Sequence, residues 1–216
     1  RPKRIAIFFQ INTARTLVVL LAGVALGFAW PPFGIWPFAL ISPGILLLSL
    51  EKTDSRSAFL ICFMYFTTAW AIAFHWNAFH PVPVTAASSV FALLAMISVL
   101  SALISTAYHA GTRITGLIGA TLAVVVFDAI MMRGPVAMPG TIIGLSLSSS
   151  TLALGWASLV GALGLSVVVM LFNLCWVLAV TYSDFRGRAL TGCVFLLVVP
   201  FLTSSNSRQS DDPIQV

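Results

Sequence analysis

The chain has 216 residues, of which 59% are hydrophobic and 8% charged, with a mean hydropathy of +1.04. Soluble domains carry about 25% charged residues, so this chain lacks the polar surface a water-soluble fold requires and the bilayer is its solvent. The net charge of +5 comes from eleven Lys and Arg scattered singly or in pairs between apolar runs, which excludes a basic nucleic-acid stripe.

Lipid-facing backbone must form helices or a closed barrel. The apolar runs are long and lack the period-2 alternation of barrel strands, so the fold is predicted to be all-α. With about 20 residues needed per crossing, seven spans are predicted, at residues 11–30, 34–50, 58–79, 84–108, 114–132, 152–180 and 189–203. The first follows basic residues but ends in Ala29-Trp30-Pro31-Pro32 without a small-x-small cleavage site, so it reads as a retained helix. Pro31-Pro32 stops it. Trp30 and Trp36 flank that stop, a placement that suits the membrane–water boundary. Pro43-Gly44 is expected to bend the second span.

Seven spans put the two termini on opposite sides. The N-terminal side then collects nine of the eleven Lys and Arg, and the other holds Arg133 and Arg208. That split predicts a cytoplasmic N-terminus and a periplasmic C-terminus. Gly23-x-x-x-Gly27 and Ala157-x-x-x-Gly161 place small residues on one helix face and predict close packing inside the bundle. Cys62, Cys175 and Cys193 lie in apolar runs without Cys-x-x-Cys and read as small buried hydrophobes.

Ionisable residues within spans are costly and therefore draw attention first. Asp128 lies about one turn from the end of the fifth span, five residues before Arg133. Two readings follow: a charge pair at the interface, or an Arg133 free to meet an anionic group such as a lipid phosphate. His75 and His80 bracket Trp76 and Asn77 at the end of the third span. Their i,i+5 spacing and the absence of a third ligand nearby argue for an interfacial cluster and against a metal site. By the predicted topology this cluster and Arg133 emerge on the same face as the C-terminal tail. The stretch 133–151 is too polar for a span and too apolar for a free loop, so it is expected to dip into the interface or lie over the bundle mouth. "LSLSSS" (145–150) lacks the Gly-x-Ser-x-Gly elbow and reads as a turn. The residues alone supply no catalytic group, metal site or cofactor loop.

Several segments resemble one family in order along the chain. "FAWPPFGIWPFALISPGILLLSL" (28–50), "HWNAFHPVP" (75–83), "RGPVAMPGTIIG" (133–144) and "LVGALGLSVVVMLFN" (159–173) resemble the membrane part of apolipoprotein N-acyltransferases, and "DDPIQV" (211–216) resembles the approach to the first strand of their nitrilase-like domain. The resemblance implies a multi-pass protein of the bacterial inner membrane, with residues 1–203 as the helical domain and 204–216 as a periplasmic linker to a nitrilase-like domain. It implies transfer of an acyl chain from a phospholipid donor to the α-amino group of a diacylglyceryl-modified apolipoprotein. The Glu, Lys and Cys that carry this chemistry belong to the nitrilase-like domain, so no catalytic residue is assigned within 1–216. Arg133, Trp76, His80 and Pro139 are the candidates for facing lipid or substrate. Where the family commonly has Glu three residues before Arg-Gly, this chain has Ile130, with Asp128 two residues earlier. Two other readings of the composition stand beside it: a transporter or scaffold subunit without acyltransferase activity, or another membrane-fused nitrilase-like enzyme.

Overall fold

A computed structural model describes the chain at residues 13–133 and 137–207. Seven α-helices, joined by short 3₁₀ segments and without strands, make up the described residues: α1 (Thr13–Ala29), α2 (Ser42–Ser49), α3 (Ser55–Ala73), α4 (Pro83–His109), α5 (Arg113–Arg133), α6 (Thr151–Thr181) and α7 (Arg186–Ser207). Four stretches are long and apolar enough to cross a membrane: α3, α4, α5 and the Gly155–Thr181 part of α6. The fold of the described residues is all-helical, as the composition required.

Helices α1 and α3 pack through the glycines read from the sequence. A Cβ on Gly23 would stand 2.6 Å from the Tyr65 carbonyl oxygen, and one on Gly27 would stand 2.7 Å from that of Ala69. Only hydrogen on the α-carbon lets the backbones approach this closely. The second small-residue pattern does not act this way. Gly161 has φ 70° and ψ −176°, which interrupts α6, and a Cβ there would meet nothing within 4 Å. The contact expected of Gly161 falls instead to Gly155, where a Cβ would stand 2.6 Å from the Pro200 carbonyl oxygen of α7.

The predicted second span is not one bent helix. After α1 the chain turns at Pro31-Pro32, where the Phe33 and Gly34 N–H groups donate to Trp30 O at 3.1 and 3.0 Å. It then runs as a 3₁₀ segment over Trp36–Leu40, passes Ile41 and restarts as α2. The break falls just before Pro43, because proline is tolerated in the first turn of a helix and excluded from its interior. Backbone groups freed at this break must find partners inside the bundle. Asn173, fully buried on α6, provides them: its Oδ1 accepts the Gly44 N–H at 2.7 Å, and its Nδ2 donates to Ala39 O at 2.9 Å. The Trp176 indole donates to Leu40 O at 3.1 Å and packs against the face of Gly44, leaving no room for a side chain there. Ser42 completes the joint, donating to Ala22 O at 2.6 Å and lying 2.7 Å from the Tyr65 hydroxyl.

Trp30 is 2% exposed and packs against Phe74, so it is a core residue and not the interfacial ring suggested by its flanking position. At the opposite end of the bundle, Ser105 donates to Ser55 O, the His109 ring lies within 2.9 Å of Thr53 O, and Arg113 pairs with Glu51. These contacts pin the α2–α3 and α4–α5 turns together. Helix α7 runs on to Ser207, into the stretch 204–216 read as a linker, and the rest of that stretch, with Ile214-Gln215-Val216, lies outside the described residues.

Replacing Asn173 with Leu is expected to cost about 1–3 kcal/mol, since it strands the Gly44 N–H and the Ala39 carbonyl in an apolar interior. Thermal unfolding in detergent measures it.

Candidate functional site

Three elements meet at the end of the bundle where α1, α3 and α5 finish. The hairpin tip reaches the end of α3 through rings: Phe28 against Phe33 at 4.8 Å, Phe33 against His75 at 6.4 Å, and Trp30 against Phe74 at 6.3 Å. The same tip reaches the stretch after α5, where the Ser149 hydroxyl donates to Gly34 O at 2.6 Å. That stretch folds back on α5 by the Met138 N–H donating to Met131 O at 3.0 Å. The convergence of the His75–His80 cluster with the post-α5 segment, read from topology, is therefore present in the contacts.

The post-α5 segment does more than cover the bundle mouth. From Thr141 to Leu147 it is largely buried, in two 3₁₀ turns at Pro139–Thr141 and Ile143–Leu147. Irregular backbone at this depth is tolerated only where protein satisfies it. The second turn begins with two N–H groups that have no partner within it. Asp128 Oδ2 accepts the Ile143 N–H at 2.9 Å, and Ser166 Oγ accepts the Gly144 N–H at 3.1 Å. The two capping side chains hold adjacent N–H groups, of Ile143 and Gly144. One residue from α5 and one from α6 thus cap a third element. Gly144 is required at the contact, since a Cβ there would stand 2.6 Å from Ser166 N.

This geometry corrects the Asp128–Arg133 pairing. Asp128 is 3% exposed and its carboxylate accepts the Ile143 N–H. Arg133, the last residue of α5, is exposed, and among the described residues the one ion pair is Arg113 with Glu51. The five-residue offset points the two side chains in different directions around the helix. Trp76, His80 and Pro139 are exposed as well, Trp76 at 57%. The structure places all four candidates at the same end of the bundle. His75 and His80 make separate local contacts, with Ile72 O at 2.8 Å and with the Val82 N–H at 3.2 Å. No group of three or more metal-ligating side chains occurs among the described residues.

Beside this end lies a cleft of about 400 Å³ between α3 and α4. Trp70, Ala71, Phe74, Leu93, Leu94 and Ile97 make it overwhelmingly apolar, with His75 and Asn77 at one end. Its proportions suit a hydrocarbon chain whose polar end stays near His75 and Asn77. Thr67 also lines it. Its hydroxyl is buried without a hydrogen-bond partner among the described residues, whereas the neighbouring Thr68 donates to Met64 O at 2.8 Å in the usual helical manner.

Comparison with known proteins brings a specific likeness at this point. The sequence model of the apolipoprotein N-acyltransferase N-terminal domain matches residues 22–175, which reach from α1 to within α6. A 62-residue stretch is 36% identical to the apolipoprotein N-acyltransferase of Vibrio cholerae serotype O1, covering 29% of this chain and 12% of that protein.

Sequence reasoning missed Asn173, Ser166 and Thr67. Polar residues in apolar helices were the available signal, but a single Ser, Thr or Asn bonds its own helix as readily as another element. Thr67→Val is expected to stabilise the domain by about 1 kcal/mol, because it removes an unpaired buried hydroxyl at constant shape. The thermal midpoint in detergent, compared with wild type, checks it.

Proposed function

Because the chain belongs to the apolipoprotein N-acyltransferase N-terminal domain family, we propose that it is the membrane domain of an enzyme that moves an acyl chain from a phospholipid to the N-terminal amine of a diacylglyceryl-cysteine. The family assignment and the multi-pass helical fold are the premises. The observation that carries the reading further is the apolar cleft between α3 and α4, which ends at His75 and Asn77. An acyl chain entering from the bilayer would exchange lipid contacts for protein contacts at little cost, while its ester stays near the membrane surface.

In this reading the bundle anchors and aligns, and the bond-making groups come from a nitrilase-like domain of the same enzyme on the periplasmic side of the inner membrane. The orientation rests on the nine-to-two distribution of Lys and Arg. Arg133 at the end of α5 would meet the phosphate of the donor, and Trp76, His80 and Pro139 would border the lipid headgroups. Holding two lipid substrates at one depth is what such a domain contributes to rate, since it replaces random encounter by fixed proximity.

Three measurements test the proposal. Residues 1–216 alone should transfer no acyl group from phospholipid to a diacylglyceryl-cysteinyl peptide, and turnover by this piece would sink the division of labour. In the full-length enzyme, Leu94→Trp fills the cleft and should raise KM for phospholipid about tenfold with kcat little changed. An unchanged KM would remove the cleft from the donor path. Arg133→Ala should lower kcat/KM by about tenfold, a typical loss for one charge-assisted contact.

A further inference from the structure

The buried Asp128 is the one acidic side chain within the described membrane spans, and among the described residues no cation pairs with it. An acid in that position carries a cost that a purely apolar helix avoids. Its oxygens are spent on the segment that folds back into the bundle. Its Oδ2 accepts the Ile143 N–H at 2.9 Å, and the Ser166 hydroxyl oxygen accepts the next N–H, that of Gly144, at 3.1 Å. Those two N–H groups open the 3₁₀ turn Ile143–Leu147, and Ser146 within that turn is fully buried. Upstream, the same segment carries Pro139 and Met138 and joins the end of α5 that bears Arg133. Downstream, Ser149 grips Gly34 at the hairpin tip.

We propose that Asp128 and Ser166 are positioning residues of the acyl-transfer reaction: together they latch the returning segment between α5 and α6, and the latch sets where Arg133, Pro139 and the hairpin tip stand when lipid is captured. The proposal rests on the acyltransferase reading above and adds to it residues that touch no substrate. Opening the latch frees the segment without breaking the surrounding helices, so the effect falls on substrate capture. The acceptor oxygen matters and the charge does not. Asn at 128 keeps an oxygen for the Ile143 N–H, and Ala does not.

The test uses the full-length enzyme in nanodiscs of phosphatidylethanolamine and phosphatidylglycerol, with a diacylglyceryl-cysteinyl peptide as acceptor. A Ser146→Cys substitution, nearly isosteric and buried, reports opening of the segment through its rate of maleimide labelling against a parent carrying the native thiols. Asp128→Ala is expected to raise KM for phospholipid about tenfold with kcat within about twofold, and to speed labelling of the introduced thiol by a similar factor. Ser166→Ala should move both in the same direction by less, and Asp128→Asn should return both close to wild type. Unchanged KM and labelling in Asp128→Ala, with only a lower thermal midpoint, would overturn the proposal, as would an Asp128→Asn that behaves like Asp128→Ala. A wild-type enzyme that transfers no acyl group would defeat the acyltransferase reading alone. The labelling experiment needs no turnover and decides the latch by itself.

Discussion

Inside a bilayer a peptide N–H that leaves the helical ladder has no water to turn to. Among the described residues this chain leaves the α-helical ladder at the buried Ala39 and Leu40 and again across the largely buried stretch from Thr141 to Leu147. Each departure is met by polar side chains from neighbouring helices. Asn173 takes the first, with Ser42 and Trp176 in support. Asp128 and Ser166 take the second. The remainder of the architecture, including the glycine contact of α1 with α3 and the pinned turns at the far end, keeps those donors and acceptors within reach.

The two irregular segments also carry what is distinctive about the site end. Regular spans could anchor a domain, but they present only helix ends at the membrane surface. A hairpin tip and a returning segment add irregular backbone and further side chains at that end of the bundle. The cleft between α3 and α4 supplies the adjoining apolar volume.

The gross fold was legible because hydrophobic run length is a strong signal: six of the seven predicted spans each overlap one α-helix among the described residues, and the second, 34–50, divides into a 3₁₀ segment and the short α2. Gly23 and Gly27 were legible because a small residue every fourth position has one simple packing consequence. Gly161 defeated the same rule, since spacing does not reveal that a glycine has left the helical region and turned to open space. Asp128 illustrates the deeper limit. Its nearest charge in sequence is Arg133, and sequence offers no way to see that a backbone N–H fifteen residues on lies closer in space. The third span likewise ended early because "FHWNAFHPVP" is apolar enough to look helical while its last five residues before His80 tighten into a 3₁₀ turn.

Helix α6 links the two irregular segments in one respect that neither shows alone. Ser166 and Asn173 are seven residues apart, which on an α-helix is nearly two full turns, so they share a face about 10 Å apart along the axis. One grips the returning segment and the other grips the break before α2. This half of α6 is therefore a ruler that fixes the spacing and phase of both irregular pieces. One residue inserted between 166 and 173 would rotate one grip by about 100° relative to the other. Side chains on this stretch can vary while the seven-residue interval cannot, and a length-sensitive constraint of this kind leaves its trace in the absence of insertions more than in the identity of residues.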